Sequence, residues 1–174
     1  PLMKKYHELG TPMNVLPLNV ANSMPTRNLK TAKFESADNI SGETMREKHL
    51  GRRTACSHCP VSCIHIASLR EPFANEPYFY KTKMISYDYE TIYSIGSMLG
   101  ITSAEGYLSV MDRVEELGLD AMSTGVVLSW ATEAMEKGLI GLNETGGLQL
   151  KFGDPNTYIE AVIRLVSQPN EFYT

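Results

Sequence analysis

From residue 88 to the C-terminus the apolar positions recur at helical spacing, whereas before residue 56 they follow no sustained period. Tyr89, Ile92, Tyr93 and Leu99 predict a helix over 88–99, closed by Gly100. Tyr107, Val110, Met111 and Val114 fall at i, i+3, i+4 and i+7 and predict a second helix over 104–117. Thr102 and Glu105 stand in capping-box positions before it, and Gly118 stands where a C′ glycine belongs. Asp120 can cap a third helix over 121–137, ended by Gly138, in which Trp130, Val126, Val127 and Ala134 read as a buried stripe. Asp154-Pro155, a cap followed by proline at the first helical position, opens a last helix to about Ser167, stopped by Pro169.

The first half is punctuated by Pro12, Pro17 and Pro25, and the stretch from Asn19 to Ser23 reads as loop. A short amphipathic helix is expected over 37–50, with Ser41 or Thr44 near its start and Lys48, Arg52 and Arg53 at the end that suits cations. Residues 69–87 hold Pro72, Pro77 and several aromatics and read as an irregular loop that covers something; residues 148–152 alternate weakly, as a short strand or hairpin arm would. With no βαβ alternation and no internal repeat, the pattern predicts a mainly α, multi-helical domain with an irregular, loop-rich N-terminal third and a cysteine-bearing loop. The expected organisation is a single domain or fragment over 1–174: a loop-rich segment at 1–55, the cysteine motif and its covering loop at 56–87, and part of a helical bundle at 88–174.

Hydrophobic residues make up 43% and charged residues 21% of the 174, as in an ordinary chain with a core to bury. A net charge of −4 offers no basic face to nucleic acid or to an anionic lipid surface. No apolar run approaches the roughly 18–20 residues of a membrane span, and residues 1–10 lack the pattern of a signal peptide. Three cysteines within eight positions do not suit a secreted disulfide framework, so a cytoplasmic location is expected. The start at Pro1 and the stop directly after a helical pattern read as marks of a fragment of a longer polypeptide.

Cys56, Cys59 and Cys63 follow a C-x2-C-x3-C spacing beside Pro60. Thiolates so spaced on a tight turn can converge on one soft metal centre, and thiolate sulfur selects zinc, copper(I) or iron–sulfur clusters over hard cations. Three readings stand side by side: reduced structural cysteines, a Cys3His zinc site completed by His58 or His65, and an iron–sulfur cluster whose fourth thiolate lies outside the chain.

Several blocks, in order, resemble the tungsten-pterin aldehyde:ferredoxin oxidoreductase family. Gly10-Thr11, Asn19-Val20-Ala21-Asn22 and Met24-Pro25-Thr26-Arg27-Asn28-Leu29 resemble its G-T … N … L-P-T-R-N-F segment, and Ile40-Ser41-Gly42-Glu43 its I-S-G-E. The run Ala55–Cys63 is similar to its A-C-x-x-C-P-I-x-C motif, Asp88-Tyr89-Glu90-Thr91 to its E-Y-E-T, and Gly96-Ser97 to its following G-S. Glu115–Asp120 resembles its D-x-x-G-L-D pterin motif and Ser123-Thr124-Gly125 its S-T-G, so the likeness covers about residues 10–138.

The resemblance implies a bis-pterin tungsten (or molybdenum) centre beside a 4Fe-4S cluster, with Cys56, Cys59 and Cys63 as three of the cluster's four ligands. It implies Glu90 as the carboxylate nearest the metal, a general base on a water or a hydrated aldehyde. A first-turn glutamate placed there by the helix dipole is the plain alternative. Gly118, Leu119 and Asp120 stand at the pterin loop, with Glu115 replacing the family's aspartate, and Arg27 is a further candidate for a phosphate or pterin. The partners implied are ferredoxin and a small aldehyde, with a homo-oligomer possible in some members. Where some members carry a Glu-x-x-His iron-binding pair, this chain reads Ser109-Val110-Met111-Asp112, so a bridging iron is not expected. The runner-up function is a non-catalytic zinc- or cluster-binding module. Isolated His7 and His49 read as surface or satisfied core groups, and Met98, Met111, Met122 and Met135 as helix packing.

Overall fold

Gly10, at φ +65°, breaks the N-terminal segment into α1 (Leu2–Leu9) and, after a 3-10 turn over Thr11–Asn14, α2 (Val15–Val20). The computed structural model describes residues 2–174, save the side chains of Leu2 and Pro77. A second 3-10 turn, Ala37–Ile40, leads to α3 (Gly42–Lys48), which Ser41 caps by accepting the Thr44 N–H at 3.2 Å. The helix expected over 37–50 is therefore split, because the extended backbone of Ser41 (ψ 160°) interrupts it. The segment read as loop-rich holds short helices on either side of a stretch, 21–36, that stays without helix or strand.

The expectation of a mainly α chain is overturned at residues 50–87. Strands β1 (Leu50–Thr54), β2 (Ile64–Phe73) and β3 (Glu76–Tyr87) form an antiparallel sheet in the order β1-β2-β3, and the fold is mixed α/β, mostly helical. The stretch expected as an irregular loop is a long hairpin in register from His65↔Tyr87 to Pro72↔Tyr80. His65, Ala67 and Leu69 are buried while Ile64, Ile66, Ser68 and Arg70 are not, a period of two. Pro72 and Pro77 hide this pattern in the sequence; both fall near the hairpin tip, where a missing N–H costs the ladder little.

The rest is helical: α4 (Tyr89–Thr91) running into a π-helical turn (Ile92–Ser97), then α5 (Ala104–Glu116), α6 (Ala121–Glu136) and α7 (Pro155–Ser167). The cap of α5 is Ser103, which accepts the Gly106 N–H at 3.1 Å, and not Thr102. No strand forms over 148–152. Among the described residues no helix is long and apolar enough to cross a membrane. One apolar core runs from Val15 to Val162, with the inner face of the sheet and α7 both packed on α5. Two tyrosines cross it fully buried, each with its hydroxyl paired: Tyr107 with Thr91 at 2.7 Å and Tyr158 with Thr132 at 3.0 Å.

Of the stripe predicted on α6, Ala134 is buried but Trp130, Val126 and Val127 are not. Trp130 is 58% exposed and Val126 and Val127 nearly half, while Thr124, Gly125, Leu128, Ser129 and Ala131 are buried. The helix docks by its small residues because it crosses the π turn at contact distance, where Ser94 Oγ donates to the Ala121 and Met122 carbonyls at 3.1 and 3.0 Å. A Cβ on Gly125 would overlap the Ser94 carbonyl.

Gly125→Ala is expected to cost about 1–3 kcal/mol, as overpacking does, lowering the melting temperature by roughly 2–12 °C. Gly138→Ala, at φ +70° with open space around it, gives the cost of backbone strain alone. Asp154 caps α7 through the Asn156 and Thr157 N–H groups, and the Thr157 hydroxyl holds its carboxyl below the ordinary value of 3.8. That stabilisation is complete above the ordinary value and is lost as pH falls through the lower folded one. The melting difference between wild type and Asp154→Ala is therefore expected to shrink below pH 3.8.

Candidate functional site

The cysteines lie on the loop that joins β1 to β2, held at its two ends by the Thr54↔Ile64 pair. His58 and Ser62 take φ of 60° and 54°, so the chain reverses twice in a short span, and Cys59 N–H closes a turn on the Cys56 carbonyl at 3.0 Å. All three thiols are free, Cys56 exposed and Cys59 and Cys63 half-buried. Among the described residues, no group of three histidine, cysteine or carboxylate side chains stands close enough to hold one metal ion. A tetrahedral zinc at Zn–S of about 2.3 Å needs its sulfurs within roughly 4 Å of one another, whereas a cubane takes one thiolate per iron.

The loop rests on a hydrogen-bonded relay. Tyr87 O–H meets His65 Nδ1 at 3.3 Å, His65 Nε2 meets the His7 carbonyl at 3.0 Å, and His7 Nδ1 meets the Val61 carbonyl at 2.8 Å. One tautomer satisfies every link: His65 protonated on Nε2 and accepting on Nδ1, His7 donating from Nδ1. His65 is wholly buried, and burial pushes its pKa down; burial pushes the Tyr87 hydroxyl up to about 12. Both ring nitrogens of His65 are thus committed, which removes it from a Cys3His zinc set. His7 is exposed and hydrogen-bonded, in keeping with its reading as a surface or satisfied group, but it is a link in this relay.

Glu90 lies exposed in the first turn of α4. Its peptide is fixed on both sides by a capping box: the Asp88 carboxylate accepts the Thr91 N–H at 2.9 Å, and Thr91 Oγ1 accepts the Asp88 N–H at 3.3 Å. Thr91 is held in turn by buried Tyr107, and Tyr89 N–H donates to Thr11 Oγ1 at 2.9 Å. Thr11 follows Gly10, where a Cβ would stand 3.0 Å from the Cys63 carbonyl. Residues 10 and 11 therefore join the cysteine loop to the start of α4.

Glu115 is exposed at the end of α5 and accepts from Ser86 Oγ at 2.8 Å. The Leu119 N–H reaches back to the Val114 carbonyl at 3.1 Å, and Gly118 sits at φ +71° with nothing near its missing Cβ. The Gly118 turn thus presents bare backbone beside an open space. Asp120 accepts the Ser123 N–H at 2.7 Å as the cap of α6, and Ser123 holds its carboxyl below the ordinary value. Arg27, itself at φ 46°, pairs with Glu35 by two hydrogen bonds and lies 5.7 Å over the Phe34 ring. Each partner reinforces the other's charge: Arg27 is pushed up by Glu35, which is itself pushed down. Asp112, at the place of the iron-binding pair of some members, holds Lys83, which also reaches Glu71 at 3.2 Å. Burial lowers Lys83, but its two carboxylate partners outweigh that and leave it raised.

Sequence reasoning passed over Gly10, Thr11 and Tyr87 as working parts of this region and read His65 only as a candidate zinc ligand. Only Gly10-Thr11 carried a signal, as a matched block; the pairing of His65 with Tyr87 needs the strand register.

Residues 1–171 match the family described as "Aldehyde ferredoxin oxidoreductase, domains 2 & 3", and the chain belongs to that family. It is 34% identical over 137 residues to the "Tungsten-containing aldehyde ferredoxin oxidoreductase" of Thermococcus kodakarensis, covering 79% of this chain and 21% of the relative. The protein of the same description from Pyrococcus abyssi is 33% identical over 138 residues, with the same shares. An "Aliphatic sulfonate oxidoreductase, WOR-like subunit" of Pyrococcus furiosus is 32% identical over 110 residues, 63% of this chain and 17% of that one. The chain spans about a fifth of the length of the curated relatives it matches.

With the thiols free, iodoacetamide is expected to label exposed Cys56 faster than Cys63. Gly10→Ala, strained at φ +65° and pressed on the Cys63 carbonyl, should raise the Cys63 rate toward that of Cys56. Equal rates in the wild-type protein would show that Gly10 does not pin the loop.

Proposed function

We propose that this chain is a cofactor-holding part of a tungsten-pterin, iron–sulfur oxidoreductase that oxidises an aldehyde to a carboxylic acid, with ferredoxin as electron acceptor. The observation that carries the reading is the set of three free thiols on the β1–β2 loop, tied through Gly10 and Thr11 to the helix start that bears Glu90. The donor set suits the group. Sulfur is the ligand type an iron–sulfur cluster takes, and the one buried imidazole beside the loop is already engaged at both nitrogens.

In this reading Cys56, Cys59 and Cys63 hold three corners of a 4Fe-4S cluster, and the fourth thiolate comes from elsewhere in a longer polypeptide. When bound, the tungsten (or molybdenum) bis-pterin would supply the two-electron oxidation and the cluster the one-electron steps to ferredoxin. Glu90 takes a proton from the hydrated aldehyde or from a water, as a general base presented by a rigid helix start. The turn at Gly118 and Leu119, its N–H groups held by the Glu115 and Val114 carbonyls, lies at the pterin's edge in this reading, with Asp120 and Glu115 at its sides. Arg27, already oriented by Glu35, is the cation for a pterin phosphate. The capping role of Asp120 restrains its carboxylate without consuming both oxygens.

In the full-length protein purified without oxygen, Cys59→Ala is expected to lose iron and acid-labile sulfide. Glu90→Gln should keep iron, sulfide and tungsten while kcat for aldehyde oxidation falls about 10²–10⁴-fold. Stoichiometric zinc without sulfide or pterin would instead establish the non-catalytic metal module.

A further inference from the structure

Arg53 is a half-buried cation that no carboxylate answers. It stands on β1 directly opposite His65, so its side chain leaves the sheet on the same inner face as that buried ring. Its Nε is buried without a hydrogen-bond partner, and no ion pair among the described residues includes it. Two other buried side-chain nitrogens lack a hydrogen bond, but their groups face an opposite charge: Arg113 pairs with Glu116, and His49 lies 3.3 Å from Glu105. The atoms that bury Arg53 Nε belong to this chain, so that burial does not depend on what a longer polypeptide adds.

The charge of Arg53 reaches the residues that anchor the cysteine loop. Burial lowers His65, and the Arg53 and Arg46 charges act in the same sense; burial raises Tyr87, and the Arg53 charge opposes it. Arg46 is answered by Glu8 at 3.8 Å, whereas Arg53 is not. The His65 ring is neutral and committed at both nitrogens, so it supplies no counter-charge. That ring also abuts the end of the loop: a Cβ on Gly10 would stand 3.0 Å from the Cys63 carbonyl and 3.4 Å from His65 Nδ1. Between Thr54 and Ile64 there is no aspartate or glutamate. The groups there that can become negative are the thiols of Cys56, Cys59 and Cys63, which bind metal only as thiolates.

We propose that Arg53 is the counter-charge of the iron–sulfur cluster on the cysteine loop, a positioning residue that acts through its charge and raises the cluster's reduction potential. The proposal rests on the reading of the three thiols as cluster ligands. A thiolate-bound cluster is a net anion, and taking up one electron makes it more negative by one charge. A fixed cation beside it therefore favours the reduced form over the oxidised one. Arg53 keeps its proton throughout, because a guanidinium does not deprotonate in a protein. The cost of holding that guanidinium half-buried and unpaired is offset once the thiolates form.

The test uses the full-length protein purified without oxygen. The cluster's midpoint potential is read by a redox titration followed by EPR in the wild type, Arg53→Met and Arg53→Lys, with iron and acid-labile sulfide counted in each. Arg53→Met is expected to keep iron and sulfide while its reduction equilibrium shifts about tenfold toward the oxidised form, a potential lower by about 59 mV for one electron. Arg53→Lys should keep the wild-type potential, because an ammonium supplies the same charge. An unchanged potential in Arg53→Met overturns the proposal, as does an equal shift in both variants, which would give Arg53 a purely structural part. Should Arg53→Met lose the cluster, its retention by Arg53→Lys supports the counter-charge and its loss from both overturns it. A wild-type protein without iron and sulfide retires the reading of the cysteine loop as well, whereas an intact cluster indifferent to Arg53 retires this inference alone.

Discussion

The buried imidazole of His65 is the joint on which the region turns. It sits on the central strand of the sheet, takes a hydrogen bond from Tyr87 on the neighbouring strand and gives one to the backbone of α1. From α1 the relay continues through His7 to the carbonyl of Val61, inside the loop that carries the thiols. A neutral ring can hold both links because it donates from one edge and accepts on the other, and burial keeps it neutral. Replacing it by an apolar residue leaves the His7 carbonyl and the Tyr87 hydroxyl without partners in the interior, the costly way to lose a hydrogen bond. Strand, helix and loop are thereby set in one arrangement before any ligand binds.

Legibility in the sequence differs element by element. Helices α5, α6 and α7 stand within a residue of where the caps and C′ glycines put them, because Asp120, Asp154 and Gly118 act through local backbone geometry that the sequence displays. The hairpin was not legible, because its two prolines lie at a tip where they do no harm, and a tip cannot be told from an interior without the register. The exposed face of α6 was misjudged for a related reason. The small residues, not the large ones, decide which side of a helix comes closest to its neighbour when the crossing is at Gly125. At the candidate site the thiols and Glu90 were readable as types and spacings. Their linkage through Gly10, Thr11 and His65 is tertiary and was not.

Asp112, the last residue of the Ser109-Val110-Met111-Asp112 run, does structural work. Its carboxylate is engaged by the Lys83 ammonium, which the hairpin delivers to the side of α5 together with Glu71. A cation belonging to the chain itself thus answers the carboxylate, and the contact clamps the hairpin against the helix. With Lys83 largely buried, removing either the carboxylate or the ammonium would leave a charge stranded.

The π turn at Ile92–Ser97 sits between Glu90 and α5, with Met98 N–H bonding back five residues to Tyr93. Such a turn is an α-helix with one residue too many. Removing a single residue there would let the segment relax to ordinary α geometry, but the chain before the turn would be wound back by about 100° relative to the chain beyond it. Glu90 lies before the turn, whereas Ser94, which clamps α6, and Ser97, which donates to the Pro25 carbonyl and accepts the Arg27 N–H, lie within it. The angular setting of the carboxylate is therefore written in chain length at this turn, as well as in the side chains that hold it.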